Sequence, residues 1–394
     1  MSLKQVSTSY QHGGRRETGF PPADTHAFAC AFLSGERVKS GFYSNGMIKL
    51  VSLLATGMLA SGSANAQSSV QLYGQVDAWV GAQKYPGGER SWVQGGGGMS
   101  TSYWGIKGAE DLGGGYKAIF ALEDFFRPQN GAPGRFTGDS FFSRDAYVGI
   151  QSSYGTVTAG RLTTPLFIST ILFNPFADSY TFSPMVYHVF LGLGTFPSYV
   201  TDQGVVGDSG WDNAISYSTP DFHGLSGGAM YAFGNQTGQA GQHKFSANFQ
   251  YFNGAFAGTG VYQYVNFNSQ AGDIGSLVTG MQSQSVAQLG MSYDLKLVKF
   301  FGQYMYTSNE VRTGGFHVNT GQGGVTVPAG TGTVMASYAY SRNAGGLDQT
   351  RQTWALGYDY PLSKRTDLYA AYMNDHISGQ STGDTFGAGI RAKF

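Results

Sequence analysis

The sequence predicts an all-β protein: a sixteen-stranded antiparallel transmembrane β-barrel with a long third loop folded inward. Three observations predict it. The chain holds 60 Gly, 25 Tyr and 28 Phe but only 12% charged residues, where roughly 25% is typical. Apolar and polar residues alternate with period two through most of the chain, which places the two sets on opposite faces of a sheet. The connections between the alternating runs are short and long by turns, as in a barrel whose loops gather at one rim. No stretch in the body of the chain approaches the roughly 20 consecutive apolar residues of a spanning helix.

The one long apolar run lies near the start. From Met47, MIKLVSLLATGMLASGSANAQ has a basic residue at Lys49, an apolar stretch from Leu50 to Ala60 and the small-residue site Ala64-Asn65-Ala66, the three parts of a cleavable export signal in order. Residues 47–66 are therefore expected to be a signal peptide and 67–394 the barrel. Residues 1–46 fit no targeting pattern and read as a start assigned too early at Met1, with Met47 the initiator, or as an unstructured extension removed with the signal. Cys30, the only cysteine, falls in this segment, so disulfides and thiolate chemistry are excluded from the barrel. Residues 67–394 carry 18 Lys and Arg against 21 Asp and Glu, a net charge of −3. There is no basic stripe to suggest a nucleic-acid partner.

The first strand sets the pattern. Val70, Leu72, Gly74, Val76, Ala78 and Val80 alternate with Gln71, Tyr73, Gln75, Asp77 and Trp79. Trp104 and Ile106 then oppose Tyr103, Gly105 and Lys107, the tight turn Glu110–Gly114 follows, and Tyr116, Ala118, Phe120 and Leu122 alternate with Lys117, Ile119, Ala121 and Glu123. The same alternation recurs at Lys244–Tyr251 and Thr353–Tyr360. Short connections near 109–114, 152–154, 220–223, 252–254, 294–297, 326–330 and 361–364 alternate with long ones near 82–98, 125–140, 162–210, 234–243, 265–283, 307–315, 342–350 and 374–382. Seven turns and eight loops join sixteen strands. An open sheet edge in hydrocarbon leaves backbone groups without partners, so the last strand, Phe386 to Phe394, must pair with the first. It turns Phe386, Ala388, Ile390, Ala392 and Phe394 outward, and Arg391 and Lys393 inward.

Leu162 to Gly210 breaks this pattern. It holds several aromatics, prolines, and acids at Asp178, Asp202 and Asp208. A connection this long inside a compact domain is usually functional, and an interior too wide for side chains to fill gives it a place to fold. The Gly95–Gly98 run lacks the Gly-Lys-Ser/Thr of a phosphate-binding loop and reads as surface loop. His188, His223, His243, His317 and His376 lack metal-ligand spacing. No cofactor or metal is expected.

Several segments carry a resemblance. QSSVQLYGQVDA (Gln67–Ala78), WGIKGAEDLGGG (Trp104–Gly115), KAIFALE (Lys117–Glu123), RDAYVGIQSSYGTVTAGR (Arg144–Arg161), LSKRTDLYAA (Leu362–Ala371) and the terminal Phe394 resemble the trimeric general porins of betaproteobacterial outer membranes. The resemblance covers essentially the whole of 67–394. It implies a homotrimer in outer-membrane lipid, not an enzyme, that passes small hydrophilic solutes and ions. It also implies that the third loop bends inward to form a constriction, where wall arginines face loop carboxylates. Arg144 and Arg161 match positions of that ladder, Lys107 and Lys117 extend it, and Asp178 is the expected loop acid, with Asp202 and Asp208 as the alternatives. Gln75, Asp77 and Glu123 share the inward parity and are expected to line the lumen. At Tyr103 many relatives have Arg before Trp-Gly, and the loop is apolar around Phe167, Ile168, Ile171, Leu172, Phe173 and Phe176. Both departures imply a narrower or less charged opening. A channel dedicated to one substrate class is the nearest alternative. An enzyme on the same barrel would need a convergent Ser-His or acid-base constellation, for which the histidines have no obvious partners.

Overall fold

The computed structural model describes residues 69–190, 206–235, 243–266, 280–312, 314–345 and 348–394. The expected signal peptide (47–66), residues 1–46 and Asp202 lie outside the described residues. Eighteen strand segments form the sheet: β1 (Ser69–Lys84), β2 (Arg90–Gly96), β3 (Tyr103–Gly113), β4 (Tyr116–Arg127), β5 (Ala132–Pro133), β6 (Ala146–Ser152), β7 (Gly155–Thr163), β8 (Gly210–Ser218), β9 (Leu225–Ala232), β10 (Lys244–Asn253), β11 (Phe256–Asn266), β12 (Met281–Asp294), β13 (Lys299–Val311), β14 (Phe316–Ala329), β15 (Gly332–Ala344), β16 (Thr350–Pro361), β17 (Thr366–Ile377) and β18 (Gly383–Lys393). β2 and β3 are two pieces of one barrel strand, since both pair with β1 on the same side: Ser69–Gln75 with β3 and Ala78–Lys84 with β2. β5 is a two-residue pairing with the end of β4. The remaining order is an antiparallel meander, and β18 returns to pair with β1 from Gln75↔Lys393 to Lys84↔Asp384. The barrel is closed, with sixteen strands.

Closure is completed at the chain end. The Gly74 amide donates to the Phe394 carbonyl at 3.2 Å and the Phe394 amide to the Gly74 carbonyl at 3.0 Å. The Phe394 ring lies so close over Gly74 that a β-carbon there would collide with it.

The alternation sorts by solvent. Leu72 (60% exposed), Val76, Val80, Leu289, Leu356 and Ile390 stand on the outer face, suited to hydrocarbon, while Gln263, Gln288, Gln303, Thr320 and Thr353 turn inward and are buried. Four connections differ from the expected boundaries. The connection expected at 82–98 contains β2, so only 85–89 turn. The loops expected at 307–315, 342–350 and 374–382 shrink, because β13, β15 and β17 run on to Val311, Ala344 and Ile377. Polar strand ends carry no period-two signal, yet pairing remains the cheapest way to satisfy their backbone. β14, rich in glycine, pairs without interruption with both neighbours.

The third loop supplies two helices, at Pro165–Leu172 and Pro184–Val189. Each starts with a hydroxyl cap followed by proline, which fits the first helical position. Thr164 accepts from the Phe167 amide at 3.2 Å and Ser183 from the Val186 amide at 3.4 Å. Asn174 ties the helices together. Its amide donates to the Thr170 and Ala177 carbonyls, and its oxygen accepts from the Phe176 amide and the Ser183 hydroxyl. The first helix packs on β9–β12 and the second on β14–β16. The described part of the loop therefore lies within the barrel.

Candidate functional site

Two apolar clusters seat the loop. Phe176, Phe182 and Tyr187 join Trp79, Met335, Tyr369 and Met373 of the wall and Met99 of the segment between β2 and β3. Leu166, Phe167, Met185, Val186, Val189 and Phe190 join Val261, Val286 and Met305. Polar contacts fix the register between them. Gln288 donates to the Thr170 hydroxyl and Gln303 to the Thr170 carbonyl, both at 3.0 Å, and Ser169 meets Thr259 at 3.0 Å. On the second helix His188, fully buried, holds Ser341 through Nδ1 at 2.6 Å and Thr353 through Nε2 at 2.7 Å. Arg351 and Asp375, 3% exposed each, form a two-pronged ion pair at 2.9 and 2.8 Å. The same guanidinium donates to the Tyr187 carbonyl at 3.3 Å and stacks 4.6 Å from the Tyr187 ring centre. Burial and then the Arg351 charge push the His188 imidazole down to about 3, so it serves as a neutral linker.

A third seat is built from the break between β2 and β3. Residues 97–102 (Gly-Gly-Met-Ser-Thr-Ser) leave the sheet and turn inward. Gly97 takes φ +74°, open to glycine, and Gly98 sits so tightly against the Tyr369 hydroxyl that a side chain there would collide. The amides of Gly98, Met99 and Ser100 all donate to the Asp77 carboxylate, at 2.9 to 3.0 Å, and Tyr369 donates to it as well. The displaced segment grips the loop in return. The Ser100 hydroxyl donates to Asp178 at 2.6 Å, Ser179 donates to the Gly98 carbonyl at 2.6 Å and Thr181 to the Gly97 carbonyl at 3.0 Å. Gln75 donates to Ser100 and to the Thr101 carbonyl. Asp77 and Gln75 face inward but are buried, as part of this clasp.

A group of inward charges gathers on β3, β4 and the approach to β6, beside Tyr73 of β1. Register aligns Tyr73, Gly105 and Glu123 in one row. Glu123 accepts from the Tyr73 hydroxyl and is ion-paired with Arg144, whose guanidinium stacks 4.2 Å from the Tyr103 ring centre. Lys107, exposed, lies 4.4 Å from the Tyr73 ring. Tyr103 thus stacks the guanidinium where an arginine was expected from the resemblance. Lys117 is also exposed and inward, but stands six residues from Glu123 along β4, about 20 Å at the usual rise. Arg161 does not join the cluster. It donates to Asp208 at 2.8 Å, Asp212 at 2.7 Å and the Ser143 carbonyl at 2.8 Å.

Loop acids divide the same way. Burial raises the Asp178 carboxyl above its ordinary range, against a hydrogen bond from Ser100 and the Arg144 and Arg391 charges. Burial pushes Asp208 upward too, but Arg135 and Arg161 outweigh it and hold that carboxyl well below the ordinary range. Arg135, which also pairs with Asp139 at 2.9 Å, reaches Asp208 from the loop after β4. At the opposite rim Arg391 bonds Asp359 at 3.3 Å and Asp367 at 3.2 Å. His188, Arg135 and Arg351 were not singled out from sequence. Only the Thr-Pro and Ser-Pro starts of the loop helices gave a readable sign of this arrangement.

Comparison with known proteins agrees with the geometry. A family model described as Gram-negative porin matches residues 51–380. The chain is 32% identical over 332 residues to outer membrane porin protein 32 of Delftia acidovorans, covering 81% of this chain and 87% of the relative. It is 28% identical over 403 residues to an outer membrane porin protein of Bordetella pertussis, covering 87% and 99%. An anion-selective porin from Comamonas acidovorans superposes with a TM-score of 0.68 at 26% identity, covering 83% of this chain and all of that one. A closed barrel with an apolar outer face, an inward loop and this kinship define its class. The chain belongs to the Gram-negative porin family and is an outer-membrane barrel that serves as a passive channel rather than as an enzyme.

Proposed function

We propose that this porin is a general diffusion channel of low charge selectivity, whose solutes pass beside the Tyr73–Tyr103–Lys107–Glu123–Arg144 cluster. The observation that carries the reading is charge compensation. Arg144 pairs with Glu123, Arg161 with Asp208 and Asp212, Arg135 with Asp139 and Asp208, and Arg391 with Asp359 and Asp367. Paired charges still impose a transverse field that favours small polar solutes over apolar ones, but give little net preference for either sign of ion. In this reading Lys107, Lys117 and, toward the long-loop rim, Arg127 are wall cations without a carboxylate partner among the described residues, Asp178 is a loop acid at the edge of the path, and Arg161 stiffens its rim.

The oligomer fits the same picture. Across the closure seam the outer wall carries an apolar trough of about 890 Å³ between Val80, Trp92, Leu356, Tyr358, Ala370 and Phe386, with Trp92 80% exposed. In the homotrimer we propose, neighbouring barrels cover this face. Residues 67–394 reconstituted into a planar bilayer should give conductance steps in threes and a reversal potential close to zero in a KCl gradient. A reversal potential near the chloride limit would overturn low selectivity while leaving the channel intact.

A further inference from the structure

One cavity of the molecule is not used by the cluster above. It encloses about 310 Å³ on the long-loop side of the third loop, between Trp79, Tyr85, Phe126, Phe136, Tyr180 and Phe190, with Arg127 and Arg135 among its lining. That volume is at the small end of the range for small-molecule pockets, roughly 300–1,000 Å³. Six aromatic side chains around so small a space suit a flat apolar ring, which stacks or meets ring edges at little conformational cost.

The two arginines are in different states. Arg135 is committed: Nε donates to Asp139, Nη1 to Asp208 and Nη2 to both. Arg127 donates from Nη2 to the Pro133 carbonyl at a long 3.4 Å, and among the described residues no carboxylate meets it. Its Nε is buried without a hydrogen-bond partner. Buried polar groups in native proteins are nearly always satisfied, and exceptions call for a reason. A guanidinium is a planar fork of donors shaped for a carboxylate. The cavity thus offers aromatic walls and one cationic fork without a carboxylate partner.

We propose that this cavity is a binding site for small aromatic carboxylates, with the ring between the aromatic walls and the carboxylate on Arg127. It concentrates such solutes ahead of the constriction and makes the channel more permeable to them than its compensated charges alone would allow. The proposal rests on the open-channel reading for its transport consequence, but not for binding itself.

Single channels in KCl, titrated separately with benzoate, acetate and benzyl alcohol, test it. Block is read as a fraction of each variant's own open current. Benzoate should interrupt the current at concentrations about tenfold or more below acetate, because a charge-assisted bond and the aromatic walls act together, and benzyl alcohol should match acetate or be weaker. Arg127→Gln should raise the half-blocking benzoate concentration by about tenfold or more, and Arg127→Lys, which keeps charge without the fork, should recover only part of it. Equal block by acetate and benzoate, or an unchanged benzoate block in Arg127→Gln, would overturn the site. If Arg127→Gln yields no heat-modifiable barrel, the ranking of the three probes on the unaltered protein decides. Should KCl alone give no current, the open channel fails. Calorimetric titration of benzoate into the detergent-solubilised barrel then decides the site, with acetate-like heats counting against it.

Discussion

Gln288 and Lys107 occupy equivalent places in the alternation, and both point inward. Yet Gln288 is 1% exposed, bonded to Thr170 of the loop and to Gln303, while Lys107 stays open to solvent beside Tyr73. The whole lumen divides on this line. On β11–β17 the inward wall is a ladder of amides and hydroxyls covered by the loop helices. On β1, β3 and β4 it keeps paired charges and tyrosines that the loop helices leave uncovered. One rule of folding thus produces two materials: a docking surface, where uncharged polar groups are satisfied by a partner, and an aqueous lining, where Lys107 and Arg144 keep contact with solvent. Charges would be costly on the first, and the ion pair that sits under the second loop helix, Arg351 with Asp375, is closed by two hydrogen bonds and a third to the Tyr187 carbonyl.

The comparison breaks most severely if the docking half is emptied. Asp375→Ala strands the Arg351 guanidinium against Tyr187 and should destabilise the loop by about 3–5 kcal/mol, the usual result of orphaning a buried charge. Single channels should become larger and noisier, with a lower temperature of heat modification. An unchanged conductance would mean that the loop is held by its apolar clusters alone.

A gentler test uses pH. His188 is buried neutral with its imidazole down to about 3, against 6.5 in the unfolded chain. As pH falls below 6.5 the unfolded chain takes up a proton that the folded loop refuses, so stability falls until the folded value is reached. The heat-modification temperature should therefore drop between pH 6.5 and about pH 4, and His188→Gln should flatten that part of the profile. An identical slope in the variant would assign the acid sensitivity to the carboxylates instead.

The smallest effect is expected on the open half. Arg144→Gln leaves Glu123 uncompensated and should shift the reversal potential modestly toward cations. Glu123→Gln should shift it the other way, and the double variant should return close to the parent. A double variant that stays displaced would show that the pair is not the charge that solutes sense.

Much of this architecture was readable in the amino acids, for a definite reason. Strand parity, closure and the anomalous third loop leave a signal because each face of a strand meets a different solvent, and alternation records that difference. What covers an inward residue is not recorded. Gln288, Thr320 and Ser341 look as hydrophilic as any lumen lining, and Asp77 looked like a wall carboxylate. The clasp at 97–102 was hidden because its glycines suit a surface loop equally well. The pairing of Arg161 with Asp208 depends on where a loop of more than forty residues turns back, which no local pattern specifies.

Asp77 belongs to the first strand, the three amides that hold it to the break beyond the second, and Tyr369 to the last strand but one, 292 residues away. The clasp can therefore be complete only after the two ends of the meander have met. A partly assembled cylinder has the sheet but no finished grip on its plug, and the final seam and the setting of the aperture become one event. Assembly and calibration are coupled: the same contact that reports a sealed wall also fixes the gauge of the opening, so a barrel that fails to seal also lacks its set aperture.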